Sequence, residues 1–179
     1  MTTWSTTVRA THLLTNAAWF GGSLMGAVAL NPASREGDDA RERAAILDEG
    51  WGRWGPVQGA AVALHLLSGV GILADNRRRV LAHRPTTVAV VLKTALTGLA
   101  VAASAEAYRS GAAMGDAQEA ADRDPSARAK ARELAERLRW VQWATPAATA
   151  GLLVLDAFLG EQQRGVAGLL DRPPRIGRR

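Results

Sequence analysis

The sequence predicts an all-α fold, an integral membrane four-helix transmembrane bundle whose helices are extended on the non-cytoplasmic side. Three observations favour this class: four stretches of about 20 residues nearly free of charge, charged residues concentrated between them, and tryptophans at their ends. An α-helix rises 1.5 Å per residue, so about 20 residues cross a hydrocarbon core of roughly 30 Å. The mean hydropathy of −0.06 conceals this pattern because it averages apolar stretches with charged connectors.

The four predicted spans belong to one domain, 1–179, and differ in the charges that they contain. From Ala10 to Pro32 and from Gly55 to Ala74 the chain has no Asp, Glu, Lys or Arg, whereas the third span contains Lys93 and the fourth Asp156. The predicted spans are about 10–30, 56–75, 85–105 and 140–160. A soluble Ala-rich bundle is the alternative class. Soluble helices carry polar residues every few positions, so the pattern favours a membrane protein.

Tryptophans at the span ends support the same class. Five of the six tryptophans lie near a predicted span end, and only Trp19 is internal. The five are Trp4, Trp51, Trp54, Trp140 and Trp143. Tryptophan favours the membrane–water interface because its ring is apolar while its N–H needs a polar partner. Packing in a protein core, the alternative, would not favour span ends.

Small residues are spaced for close contact between helices. Gly22 and Gly26 form a GxxxG pair in the first span, and Ala147 and Gly151 form a similar pair in the fourth. Helices in lipid associate through close packing, so small faces favour contact. We expect both pairs to lie against neighbouring helices.

The charged connectors are also predicted to be helical. Residues 35–52 predict a short surface helix, and 106–139 predict a charged outer helical hairpin. Asp124 and Pro125 suit the N-cap and first position of a helix, and no stop signal separates them from the fourth span. Residues 161–179 form a basic C-terminal tail.

The distribution of charge predicts that both termini lie in the cytoplasm and that the protein resides in the plasma membrane. The side with both termini and the 75–84 loop carries ten Lys and Arg against three Asp and Glu, and the other side carries eleven against thirteen. The four arginines of that short loop decide the orientation. The sequence contains no basic helix with interleaved aromatic residues, which is the pattern that would indicate nucleic-acid binding. The expected partners are the lipid bilayer and either a second copy or a membrane-complex subunit.

Four ionisable residues fall within the predicted spans: His12, His65, Lys93 and Asp156. Such residues are costly in a bilayer, so each is a candidate for a functional site. Counted from the cytoplasmic span ends, Lys93 lies roughly 12 Å deep, Asp156 roughly 6 Å deep, His12 at the end and His65 in the middle. All four are therefore expected in the middle or cytoplasmic half. A depth difference of roughly 10 Å between His12 and His65 argues against one haem held by both.

Each candidate also has a purely structural interpretation. One interpretation is that Lys93 and Asp156 form a structural ion pair, and another is that Lys93 extends to the cytoplasmic surface. His12 suits an interfacial histidine, and His65 a donor to a neighbouring carbonyl. The functional alternative is that an imidazole binds a metal or a haem iron. Cysteine is absent, which excludes thiolate ligands and disulfides.

The first span resembles the opening helix of a superfamily of small membrane bundles. The residues that carry the resemblance are Thr11-His12-Leu13-Leu14 and Ala17-Ala18-Trp19-Phe20-Gly21-Gly22-Ser23-Leu24. The superfamily includes copper-resistance D-type proteins and HemJ-type protoporphyrinogen oxidases. The resemblance implies that His12 is a haem or metal ligand and that Lys93 matches an essential lysine. The chain lacks the Tyr- and Arg-rich segment that follows the first helix in HemJ-type proteins, and it has a longer outer hairpin.

Two functions are therefore expected from different classes. In the first, the protein is a membrane-embedded, redox-active haem- or metal-binding protein. Haem b is its expected cofactor, His12, Lys93 and His65 bind it, and Asp156 completes the polar pocket. In the second, it is a non-enzymatic membrane subunit or a transporter-like bundle whose outer hairpin binds a partner. The sequence leaves open whether the protein is an enzyme.

Overall fold

The computed structural model describes residues 3–164, and its regular elements are all helical, so the predicted all-α class is confirmed for that part of the chain. The α-helices are α1 Thr3–Met25, α2 Asn31–Ala33, α3 Ala40–Asp75, α4 Arg77–Ala82, α5 Arg84–Arg123 and α6 Arg128–Arg164. A π-helical turn, Gly26–Leu30, follows α1, and 3₁₀ turns occupy Ser34–Glu36 and Pro125–Ala127. Of the predicted basic tail 161–179, residues 165–179 lie outside the described part.

Four helical stretches are long enough and apolar enough to cross a membrane, judged by length and composition. They are Thr3–Glu36, Arg41–Asp75, Arg84–Gln118 and Pro125–Glu161. We call the end of the bundle that carries the turn between α3 and α4 the inner end. The end that carries the turn between α5 and α6 is the outer end.

The interior is built from small and polar residues, while large apolar side chains lie outside. The buried apolar residues are mostly alanines, and the large ones among them are Trp19 and Leu152, both fully buried. Leu14, Leu67 and Val154 are each about 70% exposed, at 70%, 69% and 69%. A water-soluble bundle has the opposite arrangement, so this distribution favours an apolar surrounding.

Helix α1 contacts both α3 and α6, and α5 packs along α6. Trp19 of α1 reaches the α5–α6 pair, where it forms a core cluster with Ala100 and Ala148. Leu96 on α5 lies where a side chain on Gly151 of α6 would be, since a Cβ there would be 3.1 Å from Leu96 Cδ1. The small residue at 151 therefore permits the close approach that its spacing predicts.

Two details of the connectors differ from expectation. The predicted surface helix over 35–52 is not separate, because α3 begins at Ala40 and continues through Pro56 to Asp75. The Asp39 carboxylate accepts a hydrogen bond from the Glu42 N–H at 2.8 Å and caps its start. No helix stop follows before the apolar stretch, so the charged and apolar segments form one helix.

The outer hairpin has the predicted form with a shifted cap. Asp124 accepts hydrogen bonds from the N–H and hydroxyl of Ser126, which lower the pKa of its carboxyl group. It caps a 3₁₀ turn, and α6 starts one turn later than predicted. The two helices are joined by Glu106, whose carboxylate lies 3.0 Å from Arg137.

Gly22 of α1 and Gly26 of the π-helical turn that follows it lie against α3, as the spacing predicts, and their contacts there are with two tryptophans. A Cβ on Gly22 would lie 2.0 Å from Trp54 Nε1, and one on Gly26 would lie 2.3 Å from Trp51 Cη2. The two indoles of α3 therefore occupy the space above the glycines. Both rings therefore pack on the first span, and the placement of Trp51 and Trp54 at a membrane interface stays a prediction.

Candidate functional site

The four ionisable residues predicted from the sequence lie at one level of the bundle. Each is eight to ten residues from the inner end of its helix, or roughly 12–15 Å at 1.5 Å per residue. The distances are counted from Thr3 to His12, from Asp75 to His65, from Arg84 to Lys93 and from Arg164 to Asp156. Four different helices therefore contribute one residue each to a single cluster, which we call the polar cluster.

Lys93 is the centre of the polar cluster. Its Nζ lies 2.7 Å from His12 Nε2 and forms an ion pair with Asp156 Oδ1. The Lys93 and Asp156 side chains are 16% and 12% exposed. Of the two structural interpretations of Lys93, the ion pair is the one present, and the side chain does not extend to the inner surface. The second carboxylate oxygen, Asp156 Oδ2, is buried without a hydrogen-bond partner.

His12 uses both ring nitrogens. Its Nδ1 lies 3.0 Å from the backbone oxygen of His65 and 3.0 Å from Ser68 Oγ. Ser68 Oγ donates its own proton to the Leu64 carbonyl at 2.6 Å. Nδ1 must therefore carry the proton, and Nε2 is left to accept from the Lys93 ammonium group. The arrangement holds a neutral imidazole beside a charged lysine.

His65 lies against His12 rather than deeper in the bundle. The two rings are stacked with centroids 3.9 Å apart and planes inclined by 17°, and His65 Nδ1 lies 3.3 Å from the His12 carbonyl oxygen. The expected depth difference of roughly 10 Å is wrong. The expected depth of His12 assumes that the helix begins near the first charge-free residue, Ala10. Because α1 begins at Thr3, His12 lies more than two turns inside its helix.

The polar surroundings of the cluster include residues that the sequence analysis missed. Asn16 is fully buried, and neither its amide nitrogen nor its oxygen has a hydrogen-bond partner. Trp19 stands edge-on to His65, with centroids 5.8 Å apart, and donates through Nε1 to Ser104 Oγ at 3.1 Å. The signal was present in the spacing, since residues 12, 16 and 19 share one face of a helix.

The geometry limits how a metal or haem could bind. Among the described residues, no group of three or more His, Cys, Asp or Glu side chains is placed to hold a metal ion. His12 could ligate iron only by giving up a contact of one ring nitrogen, and the stacked rings leave no space for a haem between them. His65 fits a single axial ligand better, because its Nδ1–H is directed to a carbonyl, as in metal-ligating histidines.

The chain matches no protein-family model, no curated protein and no solved structure. The resemblance of the first span to HemJ-type and copper-resistance proteins therefore stays a prediction. Residues 3–164 present an all-α bundle with a buried cluster of two histidines and an ion pair, and the chemistry of that cluster is the guide to function.

Proposed function

We propose that the protein is an integral membrane four-helix bundle whose polar cluster takes up and releases a proton within the bilayer, as proton-coupled transport requires. The observation that carries this proposal is the contact of 2.7 Å between Lys93 Nζ and His12 Nε2. Ionisable residues inside membrane bundles commonly form proton and ion pathways.

The surface supports placement in a bilayer. Large apolar side chains cover the outside of the helices, and the polar groups face inward. The four candidate spans supply the required length. With the arginine-rich inner end in the cytoplasm, both termini lie on the cytoplasmic side of the plasma membrane.

His12 cannot accept a proton unless its contact with Lys93 rearranges. Lys93 as an ammonium and Asp156 as a carboxylate leave the cluster neutral, with Nε2 of His12 accepting from Nζ. If His12 became an imidazolium, both Nε2 and Nζ would be donors, and the contact would break. Two unit charges 4 Å apart repel by about 4 kcal/mol at an effective dielectric constant of 20. Protonation is thereby coupled to movement of Lys93 away from His12 or to loss of a proton from Lys93.

Infrared difference spectroscopy of the protein in liposomes tests this proposal. Imidazole protonation bands that disappear in His12→Gln are expected between about pH 8 and about pH 3, a range that extends below that of an ordinary histidine because the Lys93 cation opposes protonation of His12. Lys93→Met should shift them, because it removes the competing cation. His83→Gln is the matched control, since His83 lies at the start of α5 and contacts Thr86 rather than the cluster. Spectra of His12→Gln identical to the wild type would contradict the proposal.

A second candidate function, haem or metal binding with redox activity, is favoured by one observation. No hydrogen bond to Nε2 of His65 is present among the described residues, and Nδ1 is directed to the His12 carbonyl. The visible spectrum of the protein purified in detergent is the test. A Soret band that is lost in His65→Ala would support haem, and a colourless, metal-free protein would contradict it.

A further inference from the structure

We infer that the inner end of the bundle carries a binding site for the phosphate group of an anionic lipid. A cavity of about 510 Å³ lies where α1, α3 and α4 meet. Its lining includes Arg9, Asp75, Asn76, Arg77, Arg78 and Arg79. Four guanidinium groups therefore surround the cavity against a single carboxylate.

The fold brings these arginines together from separate helices. Helix α3 ends at Asp75, and the N–H of Asn76 bonds to the Ile72 carbonyl at 3.1 Å before the chain turns into α4. Arg9 comes from α1, and its Nη2 lies 3.5 Å from Asn76 Oδ1. The turn that places Asn76 thus also places the side chain of Arg9 beside the first turn of α4.

The arginines differ in how they meet the cavity. Arg79 is only 8% exposed, so its guanidinium group lies in the wall of the cavity. Arg77 and Arg78 are exposed. Asp75 is the one acidic residue in the described lining of the cavity, so the lining carries a net positive charge that attracts an anion.

Phosphate is the anion that this arrangement suits. The guanidinium group is planar and binds phosphate oxygens through paired N–H donors. The cavity lies next to Arg9 and Ala74, where two charge-free stretches end, so in a bilayer it would face the headgroup layer. The choice of lipid rather than free phosphate rests on the proposed membrane insertion.

Lipid retention by the intact protein tests the inference. The protein, reconstituted in nanodiscs with phosphatidylglycerol or with phosphatidylcholine, is released into detergent and weighed by native mass spectrometry. We expect phosphatidylglycerol to be retained, and retention to fall roughly 10- to 30-fold in Arg77→Gln/Arg78→Gln, since each basic residue near a membrane surface contributes about 1 kcal/mol. Phosphatidylcholine retention should not change.

The control is Arg35→Gln/Arg53→Gln, which makes the same charge change at the outer end of the bundle. Retention equal in the two double variants would overturn the site, because it would then reflect net charge alone. Displacement of phosphatidylglycerol by millimolar inorganic phosphate, absent with chloride at equal ionic strength, would support a site for the phosphate group itself. Lack of displacement with retained selectivity would support recognition of the whole lipid.

Failure of the membrane proposal would be visible separately. Alkaline carbonate releases proteins that are not embedded in the bilayer. If it released this protein, the bilayer placement would be wrong. Inorganic phosphate binding that is lost in Arg77→Gln/Arg78→Gln but kept in Arg35→Gln/Arg53→Gln would still support the phosphate site, and its absence would overturn the site too.

Discussion

The inner and outer halves of this bundle are held together by different physical means. In the inner half, the Lys93–Asp156 ion pair and the stacked histidines join four helices through charge and hydrogen bonds. In the outer half, the indoles of Trp51 and Trp54 fill the space over two glycines. In the outer half, α1 and α3 are joined by the packing of indole rings on glycines, whereas in the inner half the helices are joined by an ion pair and by hydrogen bonds.

Apart from the Glu106–Arg137 ion pair of the outer hairpin, the outer half has neutral polar contacts between its helices. Asn31 of α2 donates to Gln142 Oε1 at 2.9 Å and accepts from Trp51 Nε1 at 3.2 Å, which ties α2 to α6 and α3. None of these side chains changes charge at physiological pH. The proposed proton exchange is therefore assigned to the inner half, where the polar cluster lies, and the contacts of Asn31 hold helices together in the outer half.

The largest effect is expected when the ion pair is broken. Asp156→Ala leaves the Lys93 ammonium group buried without its counter-ion, and removing one partner of a buried pair costs about 3–5 kcal/mol. Lys93→Met combined with Asp156→Leu should recover most of that loss, because no unpaired charge remains. Unfolding in detergent by heat or denaturant measures both variants. Equal stability of Asp156→Ala and the exposed control Asp48→Ala would show that the pair is not buried in the native protein.

The next largest effect tests the shape of the outer half. Gly22→Ala places a methyl group in the space of the Trp54 indole, so the ring must move, and overpacking of this kind costs about 1–3 kcal/mol. Gly21→Ala is the matched control, because a Cβ on Gly21 meets nothing within 4 Å. Thermal unfolding in detergent should separate the two variants. An equal melting temperature for both would rule out the described contact between α1 and α3.

A smaller loss of stability is expected from a substitution at the level where the inner and outer halves meet. Ser104→Ala removes the acceptor of the buried Trp19 N–H, and an unsatisfied buried donor costs about 1 kcal/mol or somewhat more. Thr94→Ala serves as the control, since the Thr94 hydroxyl donates only to the Val90 carbonyl of its own helix and is exposed. Denaturant unfolding gives the difference. If Thr94→Ala lost as much stability as Ser104→Ala, the hydrogen bond from Trp19 to Ser104 would not contribute to the free energy of unfolding.

The smallest effect concerns the turn of the outer hairpin and depends on pH. The Ser126 hydrogen bonds lower the pKa of Asp124 in the folded state, so they stabilise the ionised cap. That stabilisation is complete above the ordinary Asp value near pH 4 and is lost as the pH falls through the lowered folded value. Hydrogen exchange of the amides at the start of α6 should accelerate in Asp124→Ala at neutral pH. Acceleration of the same size in Asp116→Ala would contradict a specific cap.

Much of the fold follows from patterns that are local in the sequence. The charge-free stretches predict the four long helices, and the missing stop signals after Asp124 predict that α6 continues from the hairpin into the fourth span. Lys93 and Asp156 are each the single charge in their span, and opposite charges in an apolar interior are stable only when paired. Their contact is therefore a consequence of composition.

The remaining contacts depend on which helices are neighbours and where each helix begins. The stacking of His12 on His65 does not follow from the charge-free stretch, because seven further residues of α1, Thr3–Arg9, precede that stretch. Asn16 is not among the predicted site residues, because asparagine carries no charge and the candidates were the ionisable residues of the spans. The packing of Trp54 on Gly22 cannot be predicted from the spacing of residues within α1, because it depends on α3 being the helix that lies against that face.

In the proposed function, a neutral His12 and a charged Lys93 share a hydrogen bond that proton uptake breaks, and ¹⁵N nuclear magnetic resonance of the histidine side chains in lipid bilayers measures the protonation of His12 itself. At neutral pH we predict that His12 carries its proton on Nδ1 and that Nε2 is unprotonated but hydrogen-bonded. Lys93→Met should shift the Nε2 resonance, and acidification should convert His12 to the imidazolium form. A His12 spectrum that is the same in the wild type, in Lys93→Met and at every pH tested would contradict the account.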